Sequence, residues 1–332
     1  MTNRILILCL LLMAGLQARG GSGFETGTIT REAADSSTLQ DWFDQRDYPA
    51  VAAWLDSQES QTTESRYWKA RLALVEGKGE LALELAEALV ADNAAAARLH
   101  VLLAEAMAAN LDGVGRLGQM RVARRIRSAY ETAIELEPDH VGAHYGLFVY
   151  ALQAPAIVGG GSGRADEQAG KLESIDPAWG AFARALVAAA EGKPEAERQA
   201  LAKALDHDPN HPMARFRAGL QAIADEDFES ARTHFTVLVE ATPRHMSAWY
   251  QLGRLAAVSG QNLDLGREAL HRYLANDYEP GNPSQAAAHW RLGMIEQHAG
   301  RTEMAREHYQ QALNLDPGFE SAQQALHGLD RS

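Results

Sequence analysis

Apolar residues recur at helical spacing along this chain, most regularly near its C-terminal end. Within residues 286–319, Ala305, Tyr309 and Ala312 lie three to four positions apart, which places them on one face of a helix. Gly300 precedes this stripe and marks the end of an earlier helix. The pattern predicts two antiparallel helices that pack through alternating small and large side chains.

The hairpin pattern repeats along the chain. Gly293 in the first helix permits close approach of the second helix, and a proline closes the unit. Prolines recur at intervals of 32 to 39 residues, at Pro138, Pro177, Pro209, Pro243, Pro280 and Pro317. Such a period is typical of stacked helical hairpins, so we expect a surface to carry the function.

These units resemble tetratricopeptide repeats, and the chain is similar to such proteins of the exported bacterial type. The resemblance implies an all-α fold, a right-handed superhelical solenoid of antiparallel helix pairs. Units at 178–211 and 212–245 follow the pattern well, whereas 246–285 is lengthened. We expect residues 32–332 to form about eight helical hairpins, with a capping helix over residues 320–330.

The first residues are typical of a targeting segment. Arg4 precedes the apolar run 5–13, and Leu16-Gln17-Ala18 is an acceptable cleavage site. We therefore expect residues 1–18 to be a cleavable signal peptide and residues 19–31 a flexible leader, giving a periplasmic or secreted protein without a membrane span. Cys9 is the single cysteine, so the mature chain would have no disulfide or cysteine nucleophile.

The charge balance disfavours nucleic acid as a partner. The net charge is −13 and the isoelectric point is near 5.4, which opposes binding to a phosphate backbone. One basic stretch stands apart, namely Arg116, Arg121, Arg124, Arg125 and Arg127. It fits either a solvated helix face or a contact with an acidic partner or anionic surface.

Two connections are longer than the repeat requires, at 112–120 and 154–163. The first contains G-x-G-x-x-G at 113–118, but helix-like sequence precedes it where a dinucleotide site needs a strand, so a flexible inter-helix loop is favoured. The second connection fits a structural loop, a loop that contacts a partner or ligand, or an anion-binding site. It precedes a helix that we expect to begin near Arg164, and Ser162 is also suited to cap that helix. Its candidate contact residues are Pro155, Gly159, Gly160, Gly161 and Ser162.

Catalysis and metal binding find little support. His140 and His144 share a helix face, and His207, Asp208 and His211 surround a turn, but zinc needs three or four convergent ligands. Common hydrolase and metalloprotease motifs are absent from the sequence. We expect no enzyme activity, cofactor or metal, and interpret these histidines as surface or turn residues.

The resemblance implies that the first helix of each unit lines a concave groove. The lysine and asparagine set that binds a free C-terminal carboxylate in the family is missing here. The residues at groove positions are instead mainly aromatic or apolar: Tyr67, Trp179, Phe182, Met213, Phe216, Leu220, Tyr250, Trp290 and Met294. They suit an apolar or amphipathic protein segment, or else they pack between neighbouring helices.

The resulting hypothesis is an exported, non-catalytic scaffold or adaptor that binds a protein in its concave groove during envelope assembly or maintenance. The alternative is a soluble small-molecule-binding accessory protein of a transporter or envelope enzyme, with a closed pocket near the glycine loop. A metal-dependent enzyme that uses the histidine clusters is a third hypothesis.

Overall fold

The computed structural model describes residues 34–276 and 281–329, so the predicted signal peptide and leader lie outside the described residues. Seventeen α-helices and two short 3₁₀ helices occur in these two ranges, which contain no β-strand. The predicted all-α fold of helix pairs is confirmed. The helices divide into two compact units, one up to Pro209 and one from Asn210 onward.

The first unit contains five successive helix pairs. Their helices are α1 (Ser36–Asp44), α2 (Tyr48–Asp56), α3 (Thr63–Val75), α4 (Gly79–Asp92), α5 (Ala97–Ala109), α6 (Arg116–Leu136), α7 (Val141–Gln153), α8 (Ser162–Ile175), α9 (Pro177–Ala190) and α10 (Pro194–His207). The core around the first pairs is built from large apolar side chains such as Leu39, Phe43, Trp68 and Leu102.

The second unit contains three pairs and a last single helix. Its helices are α11 (Pro212–Ala224), α12 (Phe228–Ala241), α13 (Met246–Ser259), α14 (Leu263–Leu274), α15 (Gln285–His298), α16 (Thr302–Leu315) and α17 (Glu320–Leu329). Phe235, Leu252, Leu270 and Leu292 belong to its main core cluster. The final helix buries Ala322 and Leu329, which gives the end of this unit a packed apolar face.

Glycines allow the two helices of a pair to approach closely. A Cβ atom at Gly293 would lie 2.3 Å from the ring of Tyr309, and one at Gly219 would lie 2.6 Å from the ring of Phe235. Both distances are far below van der Waals contact, so no larger residue fits without displacing the ring. The predicted packing role of Gly293 is confirmed.

Local capping defines many of the helix starts. The Asp35 and Asp227 side chains accept hydrogen bonds from backbone N–H groups in the first turns of α1 and α12. Thr62 and Ser65 form a reciprocal capping box at α3. At the other end of a helix, Gly260 has φ +68 and closes α13 in the left-handed conformation that glycine adopts readily.

The first enlarged connection is shorter than its sequence indicates. A 3₁₀ helix spans Leu111–Gly113, and α6 already begins at Arg116, so residues 116–120 are helical and extend α6 to 21 residues. The prediction of a loop up to Met120 is therefore wrong at its C-terminal end. Favourable helix formers at Arg116, Leu117, Gln119 and Met120 outweigh the single glycine among them.

Candidate functional site

The groove residues predicted in the first unit are largely enclosed. Tyr67 is 2% exposed, and its ring meets Trp68 edge-on with 5.3 Å between the ring centroids. Phe182 is also buried and stacks at 6.2 Å on Tyr145, whereas Trp179 is partly exposed and meets the same tyrosine at 4.9 Å. Trp179 and Phe182 pack against a tyrosine of another helix, whereas Tyr67 meets its neighbour on the same helix, and Trp179 alone of the three reaches the surface to an intermediate extent.

The aromatic residues predicted in the second unit divide in the same way. Tyr250 is buried against Tyr273, with ring centroids 5.3 Å apart. Phe216 is partly exposed and stacks on His245 at 5.5 Å. Trp290 is partly exposed and meets Phe319 edge-on at 5.6 Å. The aromatic rings of this unit therefore have helix-packing contacts as well as partial access to solvent.

The aliphatic and thioether positions are partly exposed. Met213 and Leu220 lie on α11 and Met294 lies on α15, and all three side chains are partly exposed. They belong to the first helices of their pairs, on which the predicted groove depends. Met213, Leu220 and Met294, together with the exposed parts of Phe216 and Trp290, give the first helices of the second unit a partly exposed apolar surface. We call this set the first-helix face.

Two arginines add charge to the first-helix face. Arg254 of α13 occupies the register position that Leu220 holds in α11 and Met294 in α15. Arg291 of α15 stacks over Trp290, with its guanidinium carbon 4.0 Å from the ring centroid. Within residues 34–276 and 281–329, neither arginine forms an ion pair with a carboxylate.

The guanidinium group of Arg291 lacks a complete set of hydrogen-bond partners. Its Nε atom is buried without a hydrogen-bond partner. Burial is the largest cause that lowers the pKa of Arg291, the Tyr250 hydroxyl acts in the opposite direction, and the like charge of Arg254 lowers this pKa further. The sequence did not single out this pair, because the two residues lie on different helices and each resembles an ordinary exposed arginine.

The glycine loop of the second enlarged connection is tightly folded. The Tyr150 hydroxyl donates a hydrogen bond to the Val158 carbonyl at 2.6 Å, and the Gly161 N–H donates to the Ala151 carbonyl at 2.8 Å. Gly159 and Gly160 are buried, and Gly161 is partly exposed. Among the predicted contact residues, Pro155 and Ser162 are the exposed ones.

Ser162 does not cap α8. The helix begins at Ser162 itself, and Gly161 occupies the N-cap position without a side-chain hydrogen bond. The expected start near Arg164 is therefore two residues late, and the expected serine cap is wrong, because the chain enters the helix through Gly161 at φ +121. The G-x-G-x-x-G segment at 113–118 follows helix α5, so the strand that a dinucleotide site requires is absent from this described segment.

Several histidines that the sequence grouped as possible ligands cap helices instead. The Nδ1 atoms of His140 and His211 accept hydrogen bonds from the Ala143 and Ala214 N–H groups, at 3.2 and 3.3 Å. His144 contacts the Pro138 carbonyl through Nε2 at 2.8 Å. The caps of His140 and His211 agree with the interpretation of turn histidines, but these two residues and His144 are buried, so the interpretation as surface residues is wrong for them, and His144 lies inside α7.

The described residues contain no cluster of three or more histidine, cysteine, aspartate or glutamate side chains arranged to hold a metal ion. Over the same residues, no helix has the length and apolar character needed to cross a membrane. The geometry described so far consists of packed helix pairs and the partly exposed apolar and cationic residues of the first-helix face.

Comparisons with known protein families identify the repeat in part of the chain. Residues 216–277 and 286–319 each match the family description "Tetratricopeptide repeat". The chain therefore contains tetratricopeptide repeats in its second unit. The chain is also 27% identical over 114 residues to anaphase-promoting complex subunit 3 of Schizosaccharomyces pombe, a match that covers 34% of this chain.

Among the solved structures compared, Cut9-Hcn1 supports the same kind of fold. The APC/C hetero-tetramer Cut9-Hcn1 matches 89% of this chain with a TM-score of 0.54 and 14% identity. A thermophilic TPR protein of Thermus thermophilus matches 55% of this chain and 92% of its own, with a TM-score of 0.46 and 21% identity. The chain spans 16% of the curated relative and 55% of the Cut9-Hcn1 chain, so these likenesses concern the repeat fold.

Proposed function

We propose that this protein is a non-catalytic scaffold that binds a segment of a protein partner on the first-helix face of its second unit. Tetratricopeptide repeats occur in this unit, and such repeats are suited to protein–protein interaction. The observation that carries the proposal is the partly exposed set of Met213, Leu220 and Met294 on the first helices, together with Arg291, whose buried Nε atom has no hydrogen-bond partner.

The chemistry of this face indicates the kind of segment it would bind. Partly exposed methionine and leucine side chains adapt to apolar groups, and methionine is common on surfaces that accept amphipathic helices. Arg254 and Arg291 have no carboxylate partner among the described residues, so an acidic side chain on the segment would relieve their mutual repulsion. We therefore favour an amphipathic segment with one acidic residue beside its apolar positions.

Quantitative co-purification tests this proposal. The tagged full-length protein is compared with a variant that carries Leu220→Ser and Arg254→Glu. A matched control carries Leu315→Ser and Arg306→Glu on α16, where Leu315 is 47% exposed and Arg306 lies on a second helix. We expect recovery of the partner to fall about tenfold in the first variant and to be retained in the control. Equal recovery from both, with unchanged thermal unfolding, would contradict the proposal.

We also propose that the protein is exported and acts in assembly or maintenance of the cell envelope. This part rests on the sequence of residues 1–18, namely Arg4, the apolar run and the small residue Ala18. N-terminal sequencing of the protein purified from fractionated cells tests it. A mature chain that begins after Ala18 in the envelope or medium supports export, and an intact N-terminus in the cytoplasm contradicts it.

A small-molecule-binding accessory protein is the second candidate, and one cleft favours it. A cavity of about 360 Å³ lies in the second unit between the α13–α14 connection and the start of α16, and Asn262, Arg267 and Arg301 are among its lining residues. This location differs from the expected pocket near the glycine loop. Ligand-dependent thermal stabilisation that Arg301→Ala abolishes would support this function over the scaffold.

A further inference from the structure

The connection between α7 and α8 in the first unit has a fixed shape. A Cβ atom at Gly160 would lie 1.8 Å from the Ala154 carbonyl oxygen, so glycine is required there. The hydrogen bond from the Tyr150 hydroxyl to Val158 anchors the centre of the loop. A 3₁₀ helix, Ala156–Val158, forms its tip. The loop therefore presents its exposed side chains from a preorganised backbone, which lowers the entropic cost of binding.

Two arginines flank this loop. A Cβ atom built on Gly159 would lie 2.4 Å from Nη1 of Arg127 and 3.3 Å from Nη1 of Arg164. Both guanidinium groups are thus next to the same glycine, although they belong to different helices, α6 and α8. Arg127 also pairs with Glu131 at 3.2 Å, which orients it along α6.

The positive charge continues along α6. Arg124 lies one turn before Arg127 on the same helix face, and Arg121 precedes it by three residues. Arg121, Arg124 and Arg164 are exposed, and over the described residues none of these three forms an ion pair. Since the whole chain has a net charge of −13, this cluster is a local exception to an acidic protein.

The pKa of the Tyr150 hydroxyl also indicates that the arginines lie close to the loop. Burial is the main cause that raises the pKa of the Tyr150 hydroxyl, and the positive charges of Arg127, Arg124 and Arg164 oppose that rise. Glu131 acts in the same direction as burial. All three arginines are therefore within electrostatic range of a single hydroxyl at the loop.

Large apolar side chains are exposed beside these charges. Ile157, at the tip of the loop, is 73% exposed. Leu117 is 80% exposed and lies one turn before Arg121 on α6. Exposed aliphatic side chains at the centre or rim of a charged patch are typical of interaction surfaces.

We propose that the surface formed by Arg124, Arg164 and Ile157, which we call the insert surface, binds an acidic segment of a partner protein that carries apolar side chains. The basic residues are all arginines, whose planar guanidinium groups pair with carboxylates in two parallel hydrogen bonds. The occupant is a peptide rather than an anionic bilayer, because the acidic remainder of the chain repels an extended anionic surface. This surface belongs to the first unit, whereas the first-helix face belongs to the second.

Fluorescence anisotropy tests the proposal with a defined probe. The full chain is titrated into a short labelled peptide of glutamates interspersed with leucines, and into the same peptide with glutamine in place of glutamate. We expect saturable binding of the acidic peptide and binding about tenfold weaker to Arg124→Glu/Arg164→Glu. Ile157→Ser should weaken binding while leaving its salt dependence unchanged, because it removes apolar contact and no charge.

A control variant of equal charge completes the design. Arg198→Glu/Arg232→Glu changes the net charge by the same amount at solvent-accessible positions on α10 and α12, and it should bind the acidic peptide like the unmodified protein. Equal loss in both variants, or equal binding of the glutamine peptide, would overturn the proposal. So would binding to phosphatidylglycerol vesicles without binding to the acidic peptide, since that outcome assigns the surface to a membrane. Thermal unfolding of each variant establishes that it is folded.

Discussion

The ring of Tyr309 on α16 lies directly against the backbone of Gly293 on α15, where a Cβ atom would be 2.3 Å from the ring. Because Tyr309 is fully buried and its hydroxyl donates to the Gln297 side chain at 2.9 Å, the ring has no free direction in which to move. We predict that Gly293→Ala destabilises the second unit by about 1–3 kcal/mol, the usual cost of overpacking a core. Chemical denaturation measures this change.

Gly328→Ala is the matched control for that substitution. Gly328 also lies in a helix of the second unit, but no atom lies within 4 Å of a Cβ built there. Its replacement should be neutral or stabilise by up to about 1 kcal/mol, since alanine favours helix. Equal effects of the two substitutions would show that contact with Tyr309 is not the cause.

Glu105 gives the first unit a pH dependence. This carboxyl is buried, and burial raises its pKa to about 7, against the opposing charge of Arg71. The folded state therefore binds the proton more tightly than the unfolded state, and the contribution of Glu105 to stability falls as pH rises from about 4.5 to 7. The fall amounts to about 3 kcal/mol at most, from the free energy per pKa unit.

The Glu105→Gln variant isolates this effect. The stability of this variant should resemble that of the wild type with Glu105 protonated. Its thermal transition should therefore lack the change between pH 5 and 8 that Glu105 causes in the wild type. Glu80→Gln changes an exposed glutamate on the neighbouring helix α4 and should leave the profile intact. An unchanged profile in Glu105→Gln would contradict the assignment.

A pair of histidines makes the second unit less stable as the pH falls, which is the opposite of the effect of Glu105. The Nδ1 atoms of His289 and His308 are 3.3 Å apart. Burial is the main cause that lowers the pKa of both residues, and neighbouring histidine charge lowers each further. Their contribution to stability is therefore present above their ordinary pKa of about 6.5 and is lost as pH falls below it.

Replacement of one member should reduce this acid sensitivity. We predict that His308→Gln lowers the loss of thermal stability of the second unit between pH 7.5 and 5. His327→Gln, at an exposed position on α17, should keep the wild-type loss. If both variants lose stability to the same extent as the wild type, the pair is not responsible.

The buried carboxylate of Glu296 binds two arginines of the second unit. Its side chain is 0% exposed and accepts hydrogen bonds from Arg267 at 2.6 Å and from Arg301. Glu296→Gln should cost about 2 kcal/mol, because charge-assisted hydrogen bonds in a buried site are lost. The exposed pair between Glu303 and Arg306 provides the comparison, and Glu303→Gln should cost less than about 0.5 kcal/mol in the same denaturation experiment.

The sequence predicted the features that depend on local spacing. The stripe of Ala305, Tyr309 and Ala312 and the contact glycine Gly293 follow from residues a few positions apart, and all four are buried as expected. The start of α6 was less predictable, because Gly113, Gly115 and Gly118 resemble a loop, although the helix begins at Arg116 and includes Gly118.

The accessible face required the structure. Tyr250 and Phe216 occupy equivalent positions of their first helices, yet Tyr250 is buried and Phe216 is partly exposed, because exposure depends on neighbouring helices as well as on residue type. The proximity of Arg254 and Arg291 was hidden for the same reason, since an enlarged repeat separates them along the chain.

Site-specific photo-crosslinking in cells tests the proposed scaffold function most directly. A photoreactive residue is placed at Met213, Leu220 or Met294 on the first-helix face, and at the exposed positions Thr233 and Gln310 on the second helices α12 and α16. We predict that the three first-helix positions crosslink to the same segment of one partner protein, while the two control positions do not. Equal crosslinking from both sets, or none from the first-helix positions in a folded and correctly localised protein, would contradict the proposal.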